Sequence, residues 1–342
     1  MKLGIAGAGM IVVQGLLEFV HDIEGIELLG ICATKRSEEK LKKLSEEHGI
    51  AHTYTDYEEM LKLDEIDTVY VAINNHLHYE FSKKAILAGK HVICEKPFTV
   101  HVDELKELIA LAKQHNVMLL EAITNQYYPN YLELKKQLSR VGSIHVVSCN
   151  YSQYSSRYDN YKRGIIENAF KPELSNGALM DIGVYVVACM IRLFGAPVSI
   201  KASGIKLSNG VDGAGTILME YPDMIGEAIY SKITDSAMPS QIQGEDASML
   251  VQEIENIKDL RIVRKGVVQS IHFEQSDNIL NYETQEFIKM IKTGMGWEKS
   301  REITLETMKV LDEARRQLHI VFPADEKSQE KKKQKKTAKE EE

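Results

Sequence analysis

From Lys2 to Glu121 the chain repeats one alternation: a short apolar run, then a longer stretch whose apolar residues recur at helical spacing. The short runs are Lys2–Ala6, Ile26–Ala33, Thr68–Ile73, His91–Cys94 and Val117–Glu121. The helical stretches are Ile11–Val20, Glu38–His48, Tyr79–Ala88 and Val102–His115. In Glu38–His48, Leu41 and Leu44 share one face and charges surround the rest, as in a helix lying on a surface. Asp56 stands three residues before Glu59, which predicts a cap and capping box for a further short helix. Strands joined through helices of this length build βαβ units, so the alternation predicts an α/β fold with a doubly wound parallel sheet.

Beyond Thr124 the rhythm changes. Ser143–Tyr154, Val198–Ile205, Thr216–Tyr221, Gly226–Ile233, Ser248–Ile254 and Val267–Phe273 are strand-like. Their separators are short turns such as Ser208-Asn209-Gly210 and Tyr221-Pro222-Asp223, which predict a largely antiparallel sheet. Helices are expected near Met180–Phe194, Tyr282–Thr293 and Leu305–Leu318. The 342 residues thus divide into an α/β domain (1–122), an α+β domain (123–325) and a charged tail (326–342). Helices would cover one face of the second sheet. A second copy of the chain would cover the other, in a homodimer or homotetramer. The tail has almost no apolar residue to bury and is expected to be disordered. Its Lys331–Lys336 run is interspersed with glutamates farther on, the pattern of a solvated tail rather than a nucleic-acid patch.

Charge and cysteine usage narrow the function classes. A net charge of -8 argues against a broad nucleic-acid footprint, which needs a basic surface. Cys32, Cys94, Cys149 and Cys189 are far apart and form no metal-ligand or disulfide spacing, so no metal is expected and the thiols read as reduced and buried. The apolar start Leu3–Leu17 imitates a signal peptide, but glycines at 4, 7 and 9 suit a strand and tight turn. No other run reads as a membrane span, so a cytoplasmic protein without a membrane partner is expected.

Three segments carry chemistry. Gly7-Ala8-Gly9-Met10-Ile11-Val12 closes the first strand and opens the first helix. Gly7 permits the tight turn, and Gly9 lets a pyrophosphate approach a helix N-terminus; Val12 stands where a third glycine or alanine is usual. After the second strand, Thr34, Lys35 and Arg36 precede any acid, which suits the 2′-phosphate of NADP better than the free ribose of NAD, unless the two cations merely decorate a helix start. The third segment, Val69–Pro97, ends in Glu95-Lys96-Pro97 at the carboxyl edge of a buried strand, where ligands bind in such sheets.

With its Glu-Lys-Pro after Ala88-Gly89-Lys90-His91-Val92, this segment resembles the Gfo/Idh/MocA family of NAD(P)-dependent oxidoreductases. The resemblance implies an N-terminal Rossmann domain, and it extends over nearly the whole chain except the tail. A second hallmark of that family is similar to Asn176-Gly177-Ala178-Leu179-Met180-Asp181-Ile182-Gly183-Val184-Tyr185. There Asp181 and Tyr185, at i and i+4, would share a helix face and meet one substrate hydroxyl. A tyrosine at 185 resembles the branch of glucose-fructose oxidoreductase and the dihydrodiol dehydrogenases. The resemblance implies hydride transfer at a hydroxyl-bearing carbon of a sugar, cyclic polyol or dihydrodiol. Lys96 would move the proton, its pKa lowered by burial and the nicotinamide cation. Tyr185 would be an alternative acid/base or relay, its pKa lowered by Lys96, and Asp181 would orient the substrate.

Cofactor contacts are expected from Gly7, Gly9, Met10, Ile11, Thr34, Lys35, Arg36, Ile73, Asn74, Asn75, His78, Glu95, Lys96, Pro97 and Gln126. Two of these positions depart from the family. Ile73-Asn74-Asn75 replaces the usual Thr-Pro-Asn, and Gln126 replaces an arginine before the aromatic and Pro129. These departures keep open the alternative of a cofactor-binding regulator without catalysis, while Lys96, Asp181 and Tyr185 together weigh against it. Tyr151, Tyr154, Tyr158, Tyr161 and Arg157 form either a polar-aromatic substrate wall or ordinary packing.

Overall fold

The computed structural model describes residues 1–276 and 279–325, with only the backbone of Ile279; the tail expected beyond Asp325 lies outside the described residues. Six strands form an all-parallel sheet: β1 (Lys2–Ala6), β2 (Glu27–Cys32), β3 (His52–Tyr54), β4 (Thr68–Val71), β5 (His91–Glu95) and β6 (Leu119–Ala122). Their order is β3-β2-β1-β4-β5-β6, the doubly wound dinucleotide-binding order, which reverses between β1 and β4 and opens a crevice beyond the strand ends. The alternation pointed to every strand but β3, whose three residues are too few to show a period.

The first helix begins as π-type turns at Ile11–Leu16 and continues into α1 (Leu17–Phe19). This wider coil accommodates Val12, which is fully buried in the place of the small third residue. Then come α2 (Glu38–His48), α3 (Tyr57–Leu61), α4 (His78–Leu87) and α5 (Val102–His115). Asp56 caps α3 by accepting from the Glu58 and Glu59 N–H groups. The reciprocal half of the expected box is absent, because the Glu59 carboxylate pairs with Lys62 at 2.6 Å.

The second region carries α6 (Pro129–Gln137), β7 (Ile144–Ser152), α7 (Ser156–Lys162), α8 (Val184–Phe194), β8 (Ser199–Lys206), β9 (Asp212–Glu220) and β10 (Ile225–Ser231). After these follow β11 (Ser240–Gly244), β12 (Ser248–Gln252), β13 (Asp259–Arg264), β14 (Val267–Ile271), α9 (Ile279–Thr293) and α10 (Trp297–Gln317). Its sheet runs β14-β13-β12-β11-β7-β10-β9-β8, antiparallel except where β7 meets β10. Strands β11 and β13 escape the sequence pattern because polar and charged residues occupy their outward positions. Inward residues Val147, Cys149, Ala228, Tyr230, Ile217 and Met219 are buried on the side where α8 lies against β7 and β10.

One expectation needs correction. The helical run Pro172–Phe194 is long and apolar enough to cross a membrane, but 72% of its most apolar window is buried inside the protein, as in a core helix. The C-terminal helices pack against both sheets. Phe287 and Met290 of α9 pack in one cluster with Leu3, Ile5 and Ile31, and α10 lies against both β6 and β8. The C-terminal helices therefore tie the substrate region back onto the parallel sheet.

Candidate active site

The crevice at the ends of β1, β2 and β4 holds a cavity of about 500 Å³ lined by Gly7, Gly9, Ile11, Thr34, Ile73 and Asn74, among others. Gly7 has φ +122° and packs so close to Ala72 that a Cβ would stand 2.1 Å from its carbonyl oxygen, so only glycine fits. A Cβ on Gly9 would instead project into open space, the cradle that an approaching phosphate needs. Met10 and Ile11 are exposed on the rim. Lys35 and Arg36 are exposed on the turn after Thr34 and hold no side-chain partner among the described residues. Lys40, which the sequence reading passed over, reaches from α2 to donate to the Ala8 carbonyl at 2.6 Å, placing a cation on the glycine turn.

Lys96 follows β5 directly. Its ammonium donates to the Asp181 backbone carbonyl at 2.7 Å and to Asp181 Oδ1 at 2.9 Å. The other oxygen of the same carboxylate, Oδ2, accepts from Lys232, a residue just past β10. Asp181 lies in the π-type segment Leu179–Gly183 that leads into α8. The segment starts from Gly177 (φ +148°) and is capped from outside by Asp212, which accepts from Leu179 N at 2.7 Å. Glu95, half-buried beside Lys96, accepts from the Tyr70 hydroxyl at 2.5 Å and so faces the protein interior.

Charge in this group departs from expectation. Burial pulls the Lys96 pKa down, but the Asp181 charge and hydrogen bond, with Glu95, outweigh it and the net shift is upward. Burial raises Asp181, yet Lys96 and Lys232 together hold its carboxyl well below the usual carboxylate range. Tyr185 is pushed well above its ordinary value, first by burial and then by Glu95, Asp181 and Glu283. The net shift is thus opposite to the expected lowering, although the Lys96 ammonium lies over the ring, 5.0 Å from its centroid. Asp181 and Tyr185 both flank Lys96 but line different spaces. Asp181 lines a cavity of about 510 Å³ with Arg157, Glu167, Asn168, Lys171 and Asn176. Tyr185 lines one of about 440 Å³ with Met10, Ile11, Thr124 and Leu280.

A family model described as an oxidoreductase family with an NAD-binding Rossmann fold matches residues 1–123, and a GFO/IDH/MocA C-terminal domain matches residues 131–249. The chain belongs to the Gfo/Idh/MocA family of oxidoreductases. It is 40% identical to scyllo-inositol 2-dehydrogenase (NADP(+)) of Bacillus subtilis, over 95% of this chain and 99% of that protein. It is 25% identical to trans-1,2-dihydrobenzene-1,2-diol dehydrogenase of Xenopus tropicalis, over 94% of this chain and 99% of that protein. In fold it is similar to the 3-ketoreductase from Actinomadura kijaniata solved with NADP and TDP-benzene. That likeness has a TM-score of 0.83 at 19% identity and covers 93% of this chain and 98% of the other.

Within this family frame, several expected cofactor contacts serve as braces. His78 is fully buried, with Nδ1 2.9 Å from the Pro97 carbonyl and Nε2 3.1 Å from the Ile73 carbonyl. It ties the loop after β4 to the Lys96-Pro97 turn, and burial pushes its pKa down to about 4. Asn75 crosses to the second region, donating to the Ser175 carbonyl at 3.1 Å and Asn176 Oδ1 at 2.8 Å. Pro97 is buried behind Lys96. Gln126 turns inward, only 2% exposed, and accepts from Arg192 at 2.9 Å. A neutral amide can be buried once it has such a partner, and this one leaves the crevice to Thr124.

The tyrosines of the expected substrate wall mostly pack. Tyr158 and Tyr161 stack on each other and pack at a tilt against Phe170, while Arg157 reaches the Asp181 cavity. Lys232 and Asp212 were missed outright. The available signal was strand period: Ala228 and Tyr230 face the core, so Lys232, two residues on, points the same way.

Proposed function

We propose that the chain uses NADP(H) to move a hydride to or from a hydroxyl-bearing carbon of a sugar, cyclic polyol or dihydrodiol. The observation that carries the reading is the Lys96 ammonium held on Asp181 beside the Asp181-lined cavity, at the carboxyl edge of the sheet that bears the glycine cradle. The cradle fits a dinucleotide: Gly9 leaves room for phosphate, with the Lys40 ammonium on the same turn, and Thr34, Lys35 and Arg36 after β2 would hold a 2′-phosphorylated ribose with a hydroxyl and two cations. When bound, the cofactor supplies or accepts the hydride at its nicotinamide ring. Lys96 handles the matching proton, giving it to the carbonyl oxygen in reduction and taking it from the hydroxyl in oxidation. Asp181 fixes the Lys96 amine. Tyr185 keeps its proton and packs its ring against the Lys96 ammonium rather than acting as a base. The inositol and diol activities of the two relatives support this choice of substrate class.

Fluorescence titration with NADPH and NADH tests the cofactor, and turnover over a panel of inositols, aldoses and diols tests the chemistry. Tight NADPH binding with weaker NADH binding is expected, together with turnover of at least one panel alcohol. Binding of neither nucleotide overturns the reading, and a preference for NADH removes the 2′-phosphate argument alone.

Two further parts of the reading concern its setting. A second copy of the chain covers the open face of the larger sheet, where Val146, Leu218 and Ile225 are exposed. Light scattering at the monomer mass would end that idea. The four buried free thiols favour the reducing cytoplasm, which cell fractionation checks.

A further inference from the structure

We propose that Lys232 is a positioning residue that shares the Asp181 carboxylate with Lys96 and thereby frees the Lys96 ammonium to release its proton. The inference rests on the proton-transfer reading of Lys96.

Lys232 is 5% exposed at its side chain, against 15% for Lys96. Its ammonium is the more enclosed of the two and rests on Asp181, so it acts through Asp181 rather than on substrate. Its backbone is held on both sides: its N–H donates to the Gly213 carbonyl at 2.8 Å, and its carbonyl accepts from Ser155 N at 3.0 Å. Its ammonium also lies 5.6 Å from the centre of the Phe170 ring. Strand period aims the side chain inward after Ala228 and Tyr230, and the only carboxylate it bonds is Asp181 among the described residues.

A buried lysine needs a counter-charge, and one aspartate satisfies one lysine. Here one aspartate serves two, each on its own oxygen. A lone Lys96–Asp181 pair would hold the Lys96 proton firmly, because an opposite charge at contact distance favours the ionised amine. The second ammonium divides that attraction and adds repulsion across the width of one carboxylate. Lys96 then sits closer to the pH at which an acid/base works best. The other groups facing Lys96 include Glu95 beside it in the chain, Glu121 of β6, Tyr151 of β7, the Tyr185 ring of α8 and His78 of α4. Asp212 faces Lys232 from β9. Substitution at 232 leaves these side chains in place but removes from Asp212 a cation that lowers its pKa.

The test compares Lys232→Gln, which keeps a hydrogen-bond donor and removes the charge, with Lys232→Arg, which keeps the charge. In the full-length protein with isotope-labelled lysine, NMR follows the titration midpoint of Lys96, assigned by its loss in Lys96→Met. NADPH affinity reports whether each variant is folded. The Lys96 midpoint should rise by about one pH unit in Lys232→Gln, equivalent to about tenfold less neutral amine at a fixed pH below it. It should stay at the wild-type value in Lys232→Arg. The pH profile of alcohol oxidation should move to alkaline pH by the same amount, while an even loss at all pH values would mark a merely structural role and overturn the inference. An unmoved or lowered midpoint in Lys232→Gln overturns it as well. If the Gln variant does not bind NADPH, a midpoint displaced in Lys232→Arg does the same. Turnover surviving in Lys96→Ala would instead remove the proton-transfer reading. Lost turnover there with an unmoved midpoint in Lys232→Gln removes the present inference alone.

Discussion

The two sheets place functional side chains by different rules. In the parallel sheet, Gly7, Thr34, Asn74 and Lys96 each follow the end of a strand, so one edge collects them without long-range packing. In the larger sheet, the residues that meet Lys96 come from unrelated places. Asp181 sits on a π-type turn before a helix, Lys232 lies past a central strand, and the Asp212 cap comes from the next strand over. A parallel sheet aims all its strand ends one way and makes a site by topology. An antiparallel sheet has no such edge and makes one by contact.

The largest effect should come from Lys96→Ala. Removing the proton-transfer group should lower turnover by about 10²- to 10⁴-fold while NADPH affinity stays within a few-fold, because the cradle belongs to β1, β2 and β4. Steady-state kinetics with a nucleotide titration check both halves. Equal loss of turnover and binding would break the comparison, since it would make Lys96 part of the cradle rather than of the chemistry.

The same difference explains what the sequence made legible. The alternation and the Glu95-Lys96-Pro97 ending are local patterns, and the parallel sheet and the place of Lys96 at a strand end follow from them. Asp181 was reached through a motif of neighbouring residues. Lys232 stands 51 residues from its partner Asp181, in a run that otherwise reads as an ordinary strand, and no local spacing marks that meeting. Tyr185 was located correctly on its helix, but the reading assumed that its hydroxyl points where Asp181 points. The ring turns its face to Lys96 instead, and the two side chains line separate cavities. His78, Asn75 and Gln126 were placed near the crevice, yet which way each turns depends on partners (Pro97, Asn176, Arg192) that no local pattern reveals.

On β6 of the parallel sheet, Glu121 offers the next largest effect. It is buried, accepts from Phe98 N at 3.2 Å, and burial raises its pKa from 4.5 to about 7. A raised folded value means that stability is full below pH 4.5 and is lost as pH rises through 7. Glu121→Gln removes that loss. Relative to wild type, the variant should be unchanged near pH 4.5 and more stable by on the order of 3 kcal/mol at pH 8. His78 runs the opposite way: its folded value near 4 lies below the ordinary 6.5, so acid in that window costs stability. The wild-type curve mixes the two, and only the difference between variant and wild type isolates Glu121. Urea unfolding at pH 5 and pH 8 gives it, and an equal difference at both pH values would sink the argument.

Gly177→Ala tests the contact-built half. The backbone there has φ +148°, and a Cβ would stand 2.3 Å from Asp212 Oδ1. Strain of this kind typically costs about 1–3 kcal/mol, and here it would also push Asp212 off the Leu179 N–H and tilt the turn that carries Asp181. Both stability and turnover should fall, with NADPH affinity little changed. A variant with wild-type turnover would show that Asp181 is held by its two lysines alone.

Asn75→Ala should have the smallest effect, and it probes the seam between the two rules. Asn75 leaves the loop after β4 and donates to Ser175 and Asn176, just before Gly177. Beside Lys96, it is a side chain through which a strand-end loop of the parallel sheet grips the turn that leads to Asp181. Losing a partly exposed hydrogen-bonding group costs about 1 kcal/mol of stability. The kinetic consequence depends on which part needs the seam. If cradle and chemistry are positioned separately, KM for the alcohol should rise a few-fold while the NADPH dissociation constant holds. A loss of NADPH affinity as large as the rise in KM would mean that the turn before Asp181 also shapes the crevice, and the contrast between the two sheets would then describe their architecture but not their function.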